Sequence, residues 1–136
     1  MIQEAVLTNM SVAAFHSVPS MPVSKKEISP CPIDAMLSVI DGRWKGTILW
    51  RLSEGPKRTS ALLRSIPGIT ERMLIRHLKD LVSDGILVRH REKGIHSHVV
   101  YSISDYGNTM LPVLEHICAW GRKHIEVRKR SATPRQ

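Results

Sequence analysis

The stretch TERMLIRHLKDLVSDG, residues 70–85, combines two unlike faces with a marked end. Leu74, Leu78 and Leu81 recur at i, i+4 and i+7, which places them on one side of a helix. At about 100° per residue, Arg72, Arg76 and Lys79 gather on the opposite side. One side can be buried while the other presents three cations. The Thr70 hydroxyl can cap the start, and Gly85 can take the positive φ that ends a helix. For an isolated helix, a solvated charged face is the commoner reading, so the flanking sequence decides.

Upstream, Ser60 is a candidate N-cap for a short helix with Leu62, Leu63 and Ile66 inward, stopped by Pro67-Gly68. Before it, Trp44, Ile48, Leu49 and Leu52 mark a helix that ends at Glu54-Gly55-Pro56. The earliest helix begins at Cys31-Pro32, where proline suits a first turn, and carries a stripe of Ile33, Met36, Leu37 and Ile40 up to Asp41-Gly42. The third and fourth helices, joined by a tight glycine-containing turn, make a helix-turn-helix whose second helix suits a DNA major groove.

Downstream the period changes. Val99, Tyr101 and Ile103 alternate with His98, Val100 and Ser102, and residues 87–92 form a β-capable run, predicting a two-stranded hairpin with its loop near residues 93–97. A hairpin directly after the reading helix is a wing, and Arg89, Arg91 and Lys93 give it a basic edge for phosphates. Ser104-Asp105 then caps a long helix through Met110, Leu111, Leu114, Ile117, Cys118 and Ile125, with Pro112 bending it or sitting in its first turns. Its apolar positions exceed the needs of one small domain, so a second subunit is expected to cover part of them, helped by the first helix. The expected fold is α+β, mainly α: a winged helix-turn-helix with a two-stranded wing and N- and C-terminal dimerisation helices. Residues 1–30, rich in Ser, Pro and Lys toward their end, read as a flexible extension, 31–127 as the domain and 128–136 as a basic tail.

With 136 residues, 42% of them hydrophobic, the chain can bury one modest core. Its net charge of +8 is unevenly placed: residues 31–120 hold twelve cations and nine anions, whereas residues 121–136 hold six and one. Position rather than total charge must therefore argue for nucleic acid. Arg128-Lys129-Arg130 is expected to raise nonspecific, salt-sensitive affinity. Cys31 and Cys118 are too few for a disulfide framework or zinc set. Glu4, Asn9 and His16 interrupt any secretory signal, and no apolar run approaches the ~20 residues that span a bilayer. A soluble cytoplasmic, nucleoid-associated protein without membrane contact is expected. There is no nucleophile–base pairing, phosphate loop or complete metal set, so neither enzyme nor cofactor is expected. His96 and His98 point the same way on a strand, but without a third ligand they read as a solvent-facing pair. Trp44 and Trp120 read as packing residues, Trp50 as exposed or partner-facing.

Particular words in this order strengthen the reading: CPID (31–34), VIDGRWKGTIL (39–49), LSEGPKR (52–58), IPGIT (66–70), RMLIRHLKDLVSDGIL (72–87), VVYSISDYG (99–107) and PVLEHICAWG (112–121). Over residues 31–125 the chain resembles the HxlR-type winged helix-turn-helix transcriptional regulators, which are dimeric DNA-binding repressors or activators. It departs from their pattern at Thr59 and Ala61, where an aromatic and an acidic residue are frequent, and at Val100 in the wing, where Glu is usual. With that context, Arg72 and Arg76 suit guanine O6 and N7, and Lys79 suits a phosphate. Thr70 and the helix N-terminus can also hold a phosphate, with Ser60 and Lys57 as secondary contacts. Two-fold symmetry implies a near-palindromic operator in double-stranded DNA. The alternative from another class is a winged-helix dimer that serves as a protein-interaction module without specific DNA binding. The cation triad and basic wing argue against it.

Cys31 has two readings. At the start of the first helix, backbone N–H groups favour a thiolate, and relatives of this type sense oxidants or electrophiles through a cysteine in the matching CP motif. The resemblance thus implies a redox or aldehyde/quinone switch at Cys31. The other reading is a partly buried cysteine kept for packing. Cys118 reads as core.

Overall fold

The structure is a computed structural model, and its described residues are 27–132. They form α1 (Pro32–Ile40), α2 (Lys45–Leu52), β1 (Lys57–Arg58), α3 (Thr59–Ser65), α4 (Glu71–Ser83), β2 (Leu87–Arg91), β3 (Val99–Ile103), α5 (Asp105–Asn108) and α6 (Leu111–Ala132). Of the expected N-terminal extension, residues 1–26 lie outside the described residues, as do residues 133–136 of the basic tail.

The core is built where the apolar periods converge. Ile48, Leu49 and Leu52 of α2 meet Leu62 and Ile66, the three leucines of α4, Ile86, Leu87, Tyr101 and Leu114. Leu74, Leu78 and Leu81 are each 0% exposed. Burying a leucine side chain contributes about 1.5–3 kcal/mol, so α4 is held by its apolar stripe more than by its own propensity.

The junction after α4 is hydrogen-bonded in every direction. Gly85, at φ 76°, donates its N–H to the Val82 carbonyl at 3.0 Å. The Ile86 N–H reaches the Leu81 carbonyl at 2.9 Å. This glycine stop satisfies the last helical carbonyls and turns the chain into β2. Ser104 joins the same junction from the far end of the hairpin: its Oγ donates to the Gly85 carbonyl at 2.6 Å and accepts from the Gly107 N–H at 2.9 Å. A Cβ at Gly107 would run into the Ile86 carbonyl. Glycine is required there because two backbones meet.

Four features differ from the sequence expectations. The sheet has three antiparallel strands in the order β1-β3-β2, because Lys57 and Arg58 pair with Tyr101 and Val100 beside the two-stranded wing. Two charged residues carry no period-2 signal, so this strand is invisible in the pattern. Ser60 does not cap α3: Arg58 holds the N-cap position in extended conformation, and Ser60 is the second helical residue. Ser104 does cap a helix, but that helix is the short α5 rather than one long rod. Pro112 would clash with the carbonyl four residues back, so the chain restarts as α6 with Pro112 in its first turn. Finally α6 runs to Ala132, so Arg128-Lys129-Arg130 belongs to helix and the boundary expected after residue 127 falls inside it.

The helices α1 and α6 are open on their apolar sides. No residue of α1 is buried, and Ile33 is 65% exposed. On α6 only Leu114 is buried; Val113, Ile117, Trp120, Ile125 and Val127 stand exposed. Cys118 is half-buried on α6 rather than in the core. Trp44 and Trp50 pack against the core, Trp50 therefore less exposed than expected, while Trp120 stacks on His124 at 5.1 Å. Among the described residues, no helix is long and apolar enough to cross a membrane.

Candidate nucleic-acid interface

Thr70 starts α4 as its sequence requires, its Oγ1 accepting from the Met73 N–H at 3.2 Å. That bond satisfies one of the free N–H groups of the first turn and leaves Thr70 itself exposed beside the others. From this start the helical phase carries Arg72, Arg76 and Lys79 to the exposed side. With Met73 and Ile75 they line one open concavity. Among the described residues, no carboxylate pairs with any of these three cations.

Other cations near α4 are spent on structure. Lys45, 6% exposed, places its Nζ 3.3 Å from Asp41 and 3.7 Å from Asp80. It thus ties the turn after α1 to the flank of α4, and the two carboxylates offset the cost of burying its charge. Arg58 donates to Glu92 at 2.9 Å, fastening β1 to the root of the wing loop. Lys57, one of the secondary phosphate candidates, lies half-buried in β1 with its ammonium 3.3 Å from Glu54. This sets it apart from the open cations of α4. Ser60 is exposed on the first turn of α3.

In the wing, Arg89 and Arg91 stand opposite Tyr101 and Val99, so they share one face of the sheet, and both are exposed. Lys93 follows in the exposed loop, where Glu92 donates its N–H to the His98 carbonyl at 2.9 Å. His96 and His98 are exposed there, and among the described residues no group of three potential ligands could hold a metal ion.

His77 sits on the border of α4, half-buried, with its Nδ1 enclosed and unpartnered among the described residues. Burial holds its pKa below the usual 6.5, and the nearby charges of Arg76 and Lys45 push the same way against Asp80 and Asp41. The neutral imidazole is favoured in the folded chain. Cys31 is exposed at the N-cap of α1, its N–H donating to Ser29 Oγ at 3.2 Å.

Sequence reasoning missed Lys45, Arg58 and Ile75. The Asp41–Lys45 spacing of four was a readable hint for the first, but Asp80 lies too far along the chain to be inferred from period. Ile75 belongs to neither the leucine stripe nor the cation triad, and only its exposure draws notice.

YtcD of Bacillus subtilis, an HTH-type transcriptional regulator, is 42% identical over 93 residues, which span 68% of this chain and 74% of that protein. Among solved structures, the redox regulator HypR in its reduced form is similar at TM-score 0.69 and 33% identity, over 74% of this chain and 99% of its own. The reduced form of the regulator YodB from B. subtilis is similar at TM-score 0.61 and 30% identity, over 68% of this chain and 91% of its own. Residues 39–129 match the HxlR-like helix-turn-helix family. The chain belongs to that family, whose members are DNA-binding transcriptional regulators and not enzymes.

Proposed function

We propose that the protein is a homodimeric transcriptional regulator that reads a near-palindromic operator, with α4 in the major groove and the β2–β3 wing along the adjacent backbone. The observation that carries this reading is the face of α4: three exposed cations without carboxylate partners among the described residues, opposite three leucines that fix the helix to the core. Arg72 and Arg76 contact guanine edges, and Lys79 holds a phosphate. Thr70 and the first turn of α4 bind a second phosphate through free N–H groups. Arg89, Arg91 and Lys93 follow the backbone beside the groove, with Ser60 as a secondary contact and Lys57 weaker because Glu54 already holds it.

The exposed apolar residues of α1 and α6 support pairing with a second copy. Two-fold pairing puts the two reading helices about 34–36 Å apart, one duplex turn. Selection of bound sequences from a random duplex pool tests the whole reading: paired half-sites at that spacing are expected. Enrichment of a single asymmetric half-site contradicts the dimeric mode, and no enrichment at all favours the protein-interaction module.

Cys31 is the proposed sensing residue, supported by its exposure at the head of α1 and by the similarity to a protein described as a redox regulator. Two Cys31 thiols of a dimer lose two protons and two electrons to an oxidant such as diamide and form one S–S bond, or one thiolate adds to a quinone or aldehyde. Either event alters α1 at the subunit contact. A Cys31→Ser protein should lose the response to diamide and quinone in a reporter assay; a retained response removes Cys31 from this role.

A further inference from the structure

Arginine and lysine read acceptors, yet the concavity on α4 also contains an apolar side chain. Ile75 follows Arg72 by three residues and precedes Lys79 by four, so it neighbours both on the helix surface. It is 36% exposed, whereas Met73 at the other border of the face packs against the core. A β-branched residue is stiff at χ1 in a helix, so the isoleucine presents a fixed apolar shape beside the cations.

Thymine is the base whose major-groove edge offers an apolar group, its C5-methyl, and cations cannot recognise that group. We infer that Ile75 is a specificity residue that packs on the C5-methyl of one thymine in each half-site. This rests on the proposal that α4 enters the major groove, and it adds a neutral element to a face otherwise built from charge. The surrounding cations hold the phosphates and guanines that bring the duplex close enough to exclude water from the isoleucine. The methyl contact then separates thymine from cytosine at one position.

The test uses the full chain and an operator obtained by selection. Each thymine is replaced singly by deoxyuridine, which keeps the pairing and the O4 acceptor and removes only the methyl. For the wild-type protein, one substitution per half-site should weaken binding about fourfold, the loss expected for one buried methyl. The Ile75→Ala protein should bind thymine and uracil operators equally at that position. An Ile75→Ala protein that keeps the full methyl sensitivity overturns the inference, as does a wild-type protein that selects an operator but responds to no uracil replacement. The uracil scan on the wild-type protein is independent of any folding change in the variant. If selection enriches no sequence, the groove-reading proposal falls and takes this inference with it.

Discussion

Leu74, Leu78 and Leu81 of α4 are sealed at 0% exposure, whereas Ile117, Trp120 and Ile125 of α6 stand open at 41%, 67% and 55%. Both helices carry an apolar stripe opposite charge. The first finds its partners within the chain, in α2, α3, β2 and β3. The second runs for 22 residues, about 33 Å, beyond what the small core can cover. The same period therefore has two outcomes: on α4 it fixes the helix to the core and leaves the cationic face outside, and on α6 it leaves the stripe itself open, where the proposed dimer would cover it. The patches left open are the kind that mark association surfaces.

The largest effect should come from breaking the sealed side. Leu78→Ala should cost about 2–5 kcal/mol of unfolding free energy in a denaturant titration, through lost transfer energy and the cavity left among the core leucines. A loss below ~0.5 kcal/mol would mean that α4 is not anchored as described. The matching change on the open side is Ile117→Asp, which should leave helix content unchanged by circular dichroism yet halve the mass in sedimentation at micromolar concentration. A variant that sediments as wild type would remove α6 from the contact between copies.

A smaller effect separates the border of α4 from its exposed face. His77 is held neutral mainly by burial, so its folded pKa lies below the 6.5 of the unfolded chain. The unfolded chain then binds the proton more readily, and stability is complete above about pH 6.5 and declines as the pH falls toward the folded value. Wild type should lose more stability than His77→Gln between about pH 7 and about pH 5. Parallel pH profiles would show that His77 does not couple to folding.

The sequence made α4 legible almost to the residue, because Thr70, the leucine spacing and Gly85 each act locally and the local rules agree. The helix-turn-helix and the basic hairpin were legible for the same reason. What escaped depends on chain segments that meet only in three dimensions. β1 is two charged residues that become a strand because β3 lies beside them. Lys45 finds Asp80 across the fold, and Gly107 is needed because the Ile86 carbonyl arrives there. Ser60 looked like a cap by residue type, but the strand running directly into α3 gave that position to Arg58. On the site, the α4 cations stand where their phase put them, while the pairing of Lys57 with Glu54 required the fold to reveal it.

The central claim is that the open face of α4 reads base sequence, and Arg76 is its sharpest test. Anisotropy titrations should compare wild type and Arg76→Ala on the selected operator and on a random duplex. The variant should lose about 1–3 kcal/mol on the operator, with relaxed preference at one position per half-site and an intact dimer. Unchanged affinity and unchanged preference would contradict the account.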